Sequence, residues 1–207
     1  CRTLNTPVVS GNASLYNETP NGQILPTPSI GMLGVIDHVE TALRIAPHPG
    51  DTLLLVGAAP AQGVETLAGS EYLTTKLGRL AGLPMIDLDH EARVQELVLD
   101  AHEAGLLTAA HDCADGGLAI TLAEMCLAAD SGIDASAIDL APRLDASLFG
   151  EAQSRFVVAV AGDAAASELE TRAAAVGVPV TRLGGIGGAR MRLGPTDLSL
   201  DDLRAAY

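Results

Sequence analysis

Four stretches carry side chains whose types and spacing could do chemistry. In PVVSGNASLYNETPNG, residues 7–22, Gly11 follows a short β-branched run, and Asn12 and Ser14 stand two apart. Residues two apart in extended chain point to one side, and a glycine lets backbone approach a ligand closely. The Asn12 amide oxygen is a neutral donor suited to Mg²⁺, and the Ser14 hydroxyl can donate to a phosphate or a substrate. The same residues also read as an Asx-rich turn, with Asn12 and Asn17 capping their own backbone. In AHDCADGGLA, 110–119, a strand ends at His111 and Asp115 stands where a helix N-cap belongs. Gly116 and Gly117 then offer N–H groups at the positive end of the helix. Asp112 and Asp115 would repel a bare phosphate unless a cation intervened. The segment also reads as an ordinary strand-to-helix turn, and His111 as a hydrogen-bonded structural residue rather than a base.

In LFGEAQSRFVV, 148–158, Glu151, Gln153 and Arg155 alternate and could share a face as a strand begins. The carboxylate and amide could hold a polar ligand, or Glu151 could pair with Arg155 at the surface. The fourth stretch, LGGIGGAR at 183–190, lacks the G-x-G-x-x-G spacing of a dinucleotide loop and reads as a flexible turn. Ser70, before Glu71, is placed to cap a helix.

Composition narrows what these groups can serve. Of 207 residues 48% are hydrophobic, enough for a packed core. There is no Trp, with two Phe and three Tyr, which argues against stacking platforms for single-stranded nucleic acid. Net charge is −14 and Lys76 is the only lysine, so a phosphate backbone is repelled and nucleic-acid partners are not expected. A phosphate would have to be held by backbone N–H groups, a bridging cation or isolated arginines. Cysteines at 1, 113 and 126 match neither a zinc site nor a disulfide framework, and read as reduced thiols of a cytoplasmic protein. No apolar run approaches the ~18–20 residues of a membrane span, and the N-terminus lacks a signal-peptide pattern. A start at Cys1 suggests a fragment or a processed product.

The elements that must position these groups follow from periodicity. Residues 5–10 read as a short strand running into a glycine turn, 12–23 as a loop, 24–36 as an irregular edge strand, and 38–44 as a short helix. APHPG, 46–50, reads as a linker. DTLLLVGAA (51–59), LLTAAH (106–111), RFVVAVAG (155–162), 179–188 and 190–194 read as strands. Helices are expected over 69–82, 91–105, 116–130 and 163–177, the last with Asp163 as N-cap and Gly177 beyond its end. Leu118, Leu122, Met125 and Cys126 face inward in the third. Strands alternating with helices give an α/β or α+β layered domain, and no internal repeat is visible.

Taken in order, PVVSGNASLYNET, ILPTPSIGMLG, GSEYL, HDCADGGLAITLAEM and LFGEAQSRFVV resemble the synthetase subunit of phosphoribosylformylglycinamidine synthase. That family is grouped with aminoimidazole ribonucleotide and selenophosphate synthetases. The likeness covers nearly the whole chain and points to the C-terminal portion of the subunit. It implies that residues 1–45 complete a second, ferredoxin-like A domain and that 46–207 form a second B domain, an α/β/α unit. It implies an ATP-dependent C–N ligase of purine biosynthesis: ATP phosphorylates an amide oxygen of formylglycinamide ribonucleotide, and ammonia displaces the phosphate. The implied partners are a glutaminase subunit and a small accessory subunit, with Mg²⁺ as cofactor. By the same likeness Gly11 contacts ATP, Asn12 binds Mg²⁺ and Ser14 contacts substrate. Glu151 and Gln153 match a substrate-binding Glu-x-Gln and would face an auxiliary site, although the usual Glu-Ser-Gln reads Glu-Ala-Gln here. The alternatives are a structural nucleotide-binding or subunit-docking module, and another synthetase of the same superfamily.

Overall fold

The computed structural model describes residues 1–12, 18–24, 29–31, 33–140 and 143–207. They divide into two units, Cys1–Ala42 and Leu43–Tyr207. In the first, β1 (Ser10–Asn12) pairs antiparallel with β4 (Ser29–Gly31), placing Gly11 opposite Ile30. Between them β2 (Glu18–Thr19) and β3 (Gly22–Gln23) form a small hairpin, where the Thr19 hydroxyl donates to the Gly22 carbonyl at 3.2 Å. The expected strand over 5–10 is therefore displaced. Pro7 has no N–H to give a ladder, and pairing starts at Ser10 and runs through the glycine. The helix expected at 38–44 is a single 3-10 turn, Val39–Thr41, whose N-terminus no side chain caps. None of this unit's residues of described burial is buried.

The second unit is built on a seven-stranded sheet. Its strands are β5 (Thr52–Val56), β6 (Leu107–Asp112), β7 (Ile133–Ala135), β8 (Phe156–Val160), β9 (Val180–Ile186), β10 (Arg190–Leu193) and β11 (Thr196–Ser199). They lie in the order β11-β10-β7-β9-β5-β8-β6. All neighbours are antiparallel except β7 and β10. Both faces of β5 are buried, so its sequence is a continuous apolar run rather than an alternation. Leu53 and Leu55 pack on one side, Leu54 and Val56 on the other.

Helices cover each face. α2 (Leu88–Glu103) and α5 (Gly162–Ala175) set Val94, Leu97, Ala101, Ala166, Leu169 and Ala173 against Leu54 and Val56. α3 (Gly117–Ala129), α4 (Leu144–Phe149) and α6 (Leu200–Ala206) cover the opposite face, with Leu118, Leu122, Met125 and Cys126 inward as the spacing predicts. α1 (Glu71–Leu77) buries no residue. The result is an α/β/α layered unit. Asp163 is not an N-cap: α5 starts one residue earlier, and the Asp163 carboxylate binds Arg182 at 3.0 Å. The stretch expected to be a flexible turn, 183–190, is half the end of β9, with Gly187, Gly188 and Ala189 linking it to β10.

Candidate functional site

The tertiary structure joins two of the stretches that stood out in the sequence. The loop 150–155 before β8 lies against the 113–117 turn between β6 and α3, and together they line a cleft of about 340 Å³. Glu91 on α2 closes one side, and Asp112, Asp115, Glu151, Gln153 and Arg155 supply most of its polar groups.

Glu151 organises this cleft. Its Oε1 accepts from the backbone N–H of Gly116 at 2.8 Å and from that of Glu71 at 2.9 Å. Those are the N-cap of α3 and the first residue of α1. A carboxylate here meets orphan amides and the positive ends of two helices at once. The Glu151 N–H donates in turn to the Thr66 carbonyl at 2.8 Å. The expected cap of α3 is thereby corrected: Gly116 is the N-cap residue and makes no side-chain cap, and Glu151, 35 residues along, does the work assigned to Asp115. Ser70 caps α1 as expected, its Oγ accepting from Leu73 N–H at 3.3 Å.

Arg155 departs furthest from expectation. It makes no ion pair with Glu151 among the described residues. The side chain is 2% exposed, and its guanidinium donates to the carbonyls of Gly150 and Ala152. Nη1 is buried and has no partner among the described residues. Burial lowers the Arg155 pKa, partly offset by Cys113 and Glu151; an arginine remains charged under such a shift. Burial likewise raises the Cys113 thiol, partly offset by Arg155 and by a hydrogen bond with Thr121. A thiol so held is a poor nucleophile. The alternation predicted for 151–155 fails because the strand begins only at Phe156. Gln153 is exposed, its amide nitrogen donating to the Glu151 carbonyl at 3.3 Å.

Close backbone approach fixes the loop. Gly117 has φ +65°, and a Cβ there would lie 2.4 Å from the Gly150 carbonyl oxygen. Ser154, with φ +62°, donates its hydroxyl to Glu91, whose other oxygen accepts from Gln95. His111 sits outside the cleft lining. Its ring nitrogens face Glu124 at 2.9 Å and Asp112 at 3.2 Å, the hydrogen-bonded structural arrangement expected of it. Sequence reasoning missed Thr66, Glu91 and Ser154, which no local pattern links to Glu151. For Arg155, a cation directly before a buried apolar strand was the available signal.

Of the opening-loop candidates, Gly11 is exposed within β1 and Asn12 ends that strand. Ser14 lies outside the described residues. Among the described residues no group of three His, Cys, Asp or Glu could hold a metal, and no helix is long and apolar enough to cross a membrane.

Comparison with known proteins adds the lineage. The chain is 42% identical, over its full length, to the phosphoribosylformylglycinamidine synthase subunit PurL of Anaeromyxobacter dehalogenans, and spans 28% of that relative's length. Two solved structures share the fold. One is Thermotoga maritima PurL complexed with FGAR, with a TM-score of 0.65, 18% identity, and coverage of 80% of this chain and 30% of that one. The other is the same protein complexed with ATP, with a TM-score of 0.62, 16% identity, and coverage of 80% and 27%. The family model described as AIR synthase related protein, C-terminal domain, matches residues 48–193, and with its layered sheet the chain belongs to that family.

Proposed function

We propose that this chain is part of an ATP-dependent ligase that converts formylglycinamide ribonucleotide to its amidine in purine biosynthesis. The observation that carries the reading is the 42% identity to PurL along the entire chain. ATP transfers its γ-phosphoryl group to the substrate amide oxygen and leaves as ADP. Ammonia then attacks the activated carbon, and inorganic phosphate departs. Such transfers depend mainly on positioning and on neutralising charge, which suits a chain with a single lysine. Residues 1–45 complete an A domain and residues 46–207 form a B domain. A glutaminase subunit and a small accessory subunit are the proposed partners, in the cytoplasm.

Gly11 gives the nucleotide an exposed strand position with no side chain in the way. Asn12 offers one oxygen to Mg²⁺, and Ser14 one hydroxyl to the substrate. A single neutral oxygen fits a Mg²⁺ ion that takes its other ligands from phosphates and water; bound there, the ion would offset phosphate charge. Glu151 uses Oε1 for the two helix ends, while none of its hydrogen bonds among the described residues uses Oε2. That oxygen and the exposed Gln153 amide are the groups that could meet a polar ligand in the cleft.

The test is kinetic, in the full-length enzyme containing this segment. Asn12→Ala should lower turnover by about tenfold or more and raise the Mg²⁺ requirement, with the melting temperature unchanged. Wild-type kinetics in that variant would remove the metal assignment. An intact enzyme that forms no amidine from formylglycinamide ribonucleotide, ATP and ammonia would remove the function.

A further inference from the structure

Asn21 is the only asparagine of this chain followed by glycine; Asn5, Asn12 and Asn17 precede Thr, Ala and Glu. In an Asn-Gly pair the glycine nitrogen can bond to the asparagine side-chain carbonyl carbon and close a five-membered imide, because no Cβ shields its approach. The structure sets Asn21 and Gly22 in the turn of the β2–β3 hairpin, where residues 18–24 are all exposed. The Thr19 hydroxyl accepts from the Asn21 N–H at 3.3 Å and donates to the Gly22 carbonyl at 3.2 Å, gathering the two residues around one oxygen. The Asn21 side-chain amide has no hydrogen-bond partner among the described residues. Gly22 has φ +129°, and a Cβ there would meet nothing within 4 Å. The ladder closing the turn has two pairs, Glu18 with Gln23 and Thr19 with Gly22, and a ribbon that short opens readily.

Asp115–Gly116 offers the same ring closure from a carboxyl group, and there the fold opposes it. The Gly116 N–H is committed to Glu151 Oε1 at 2.8 Å, at the start of a helix whose Leu118 and Leu122 are buried. We propose that Asn21–Gly22 is a site of spontaneous deamidation, with water as its co-reactant. The Gly22 nitrogen gives its proton to solvent base and bonds to Cγ of Asn21. The Cγ–Nδ2 bond breaks, and Nδ2 takes up a proton and leaves as ammonia. Water then opens the imide. Cleavage between the nitrogen and Cγ leaves aspartate; cleavage between the nitrogen and the Asn21 main-chain carbonyl carbon leaves isoaspartate, whose main chain runs through Cβ and Cγ. No atom is oxidised or reduced, and each product carries one more negative charge. The isoaspartyl product adds a methylene to a two-residue turn, so the turn no longer matches the pairing of Thr19 with Gly22.

Peptide mapping by mass spectrometry tests this on the full-length protein containing the segment, incubated at mildly alkaline pH both native and unfolded in urea. In the native protein Asn21 should convert several-fold faster than Asn5, Asn12 or Asn17, giving both aspartate and isoaspartate. Isoelectric focusing should show a matching species one charge more acidic. Asn21→Gln, whose side chain would have to close a larger ring, should remove that species over the same period. The side chain is exposed, so melting should match wild type. Urea should speed conversion at Asn21 by a smaller factor than it speeds isoaspartate formation at Asp115. An Asn21 that stays intact in the native protein while the urea-unfolded chain converts would overturn the proposal. So would an acidic species that persists in Asn21→Gln, or a native fold that protects Asn21 as strongly as Asp115.

Discussion

Glu151 shows how one side chain can be chosen by sequence for one purpose and used by the fold for another. Its carboxylate ends two helices that are far apart in the chain, and removing it leaves two amides without acceptors. Glu151→Ala should therefore cost about 1–3 kcal/mol of unfolding free energy, by the usual worth of a cap and a charge-assisted bond. Glu151→Gln, which keeps an oxygen acceptor, should cost less. Urea unfolding measures both, and an Ala variant as stable as wild type would refute the clamp. The buried thiols give a pH signature. Burial pushes Cys126 up to about 12, whereas an unfolded-chain thiol ionises near ~8.5. The folded state thus holds a proton that the unfolded state gives up. Its contribution to stability is complete below about pH 8.5 and is lost progressively as pH rises toward 12, and Cys113 adds in the same sense. Unfolding free energy should fall through that window, and Cys126→Ala should flatten the slope. An unchanged slope would contradict it.

At the scale of elements, periodicity identified the long helices and the buried strands because each has one dominant neighbour. A sheet buried on both faces demands continuous apolar residues, and Leu53 to Val56 and Val157 to Val160 supply them. Short elements escaped. β7 is three residues long, and its place between β9 and β10 is set by pairing partners remote in sequence. α6 did leave a sign, the Ser199–Asp202 capping box, in which each residue bonds the other's backbone. The junction of β5 with the cleft loop is equally specific. Gly57, at φ +103°, faces the Ser154 carbonyl oxygen, and an added Cβ would lie 1.8 Å from it. Gly57→Ala should lower stability by about 2–4 kcal/mol, through backbone strain and forced displacement of the loop. Thermal unfolding reads this out, and a loss under half a kilocalorie would show that the loop yields freely.

For the whole molecule, the distribution of the core is decisive. Each buried hydrophobic residue among the described ones falls at or beyond Leu53, and most of them form two clusters separated by one sheet. Residues 43–207 therefore hold what a cooperative domain needs. Expressed alone, they should unfold in a single transition with near-UV and far-UV signals coincident. Separate transitions by the two probes would contradict a self-sufficient core. The small ladders of residues 1–42 lack such a core, and two-stranded pairs by themselves are marginal in water.

From the sequence alone came the layered α/β class, the inward faces of the main helices and the family resemblance. These rest on apolar spacing and on the order of motif blocks, both written along the chain. Tertiary structure alone decided that Glu151 caps α1 and α3, that Arg155 is buried among backbone carbonyls, and that α1 turns its leucines outward. The physical reason is that backbone amides at a helix N-terminus donate to any oxygen brought near them in space. Local sequence can mark Glu151 as able to bind, and only the packing of distant segments determines what it meets.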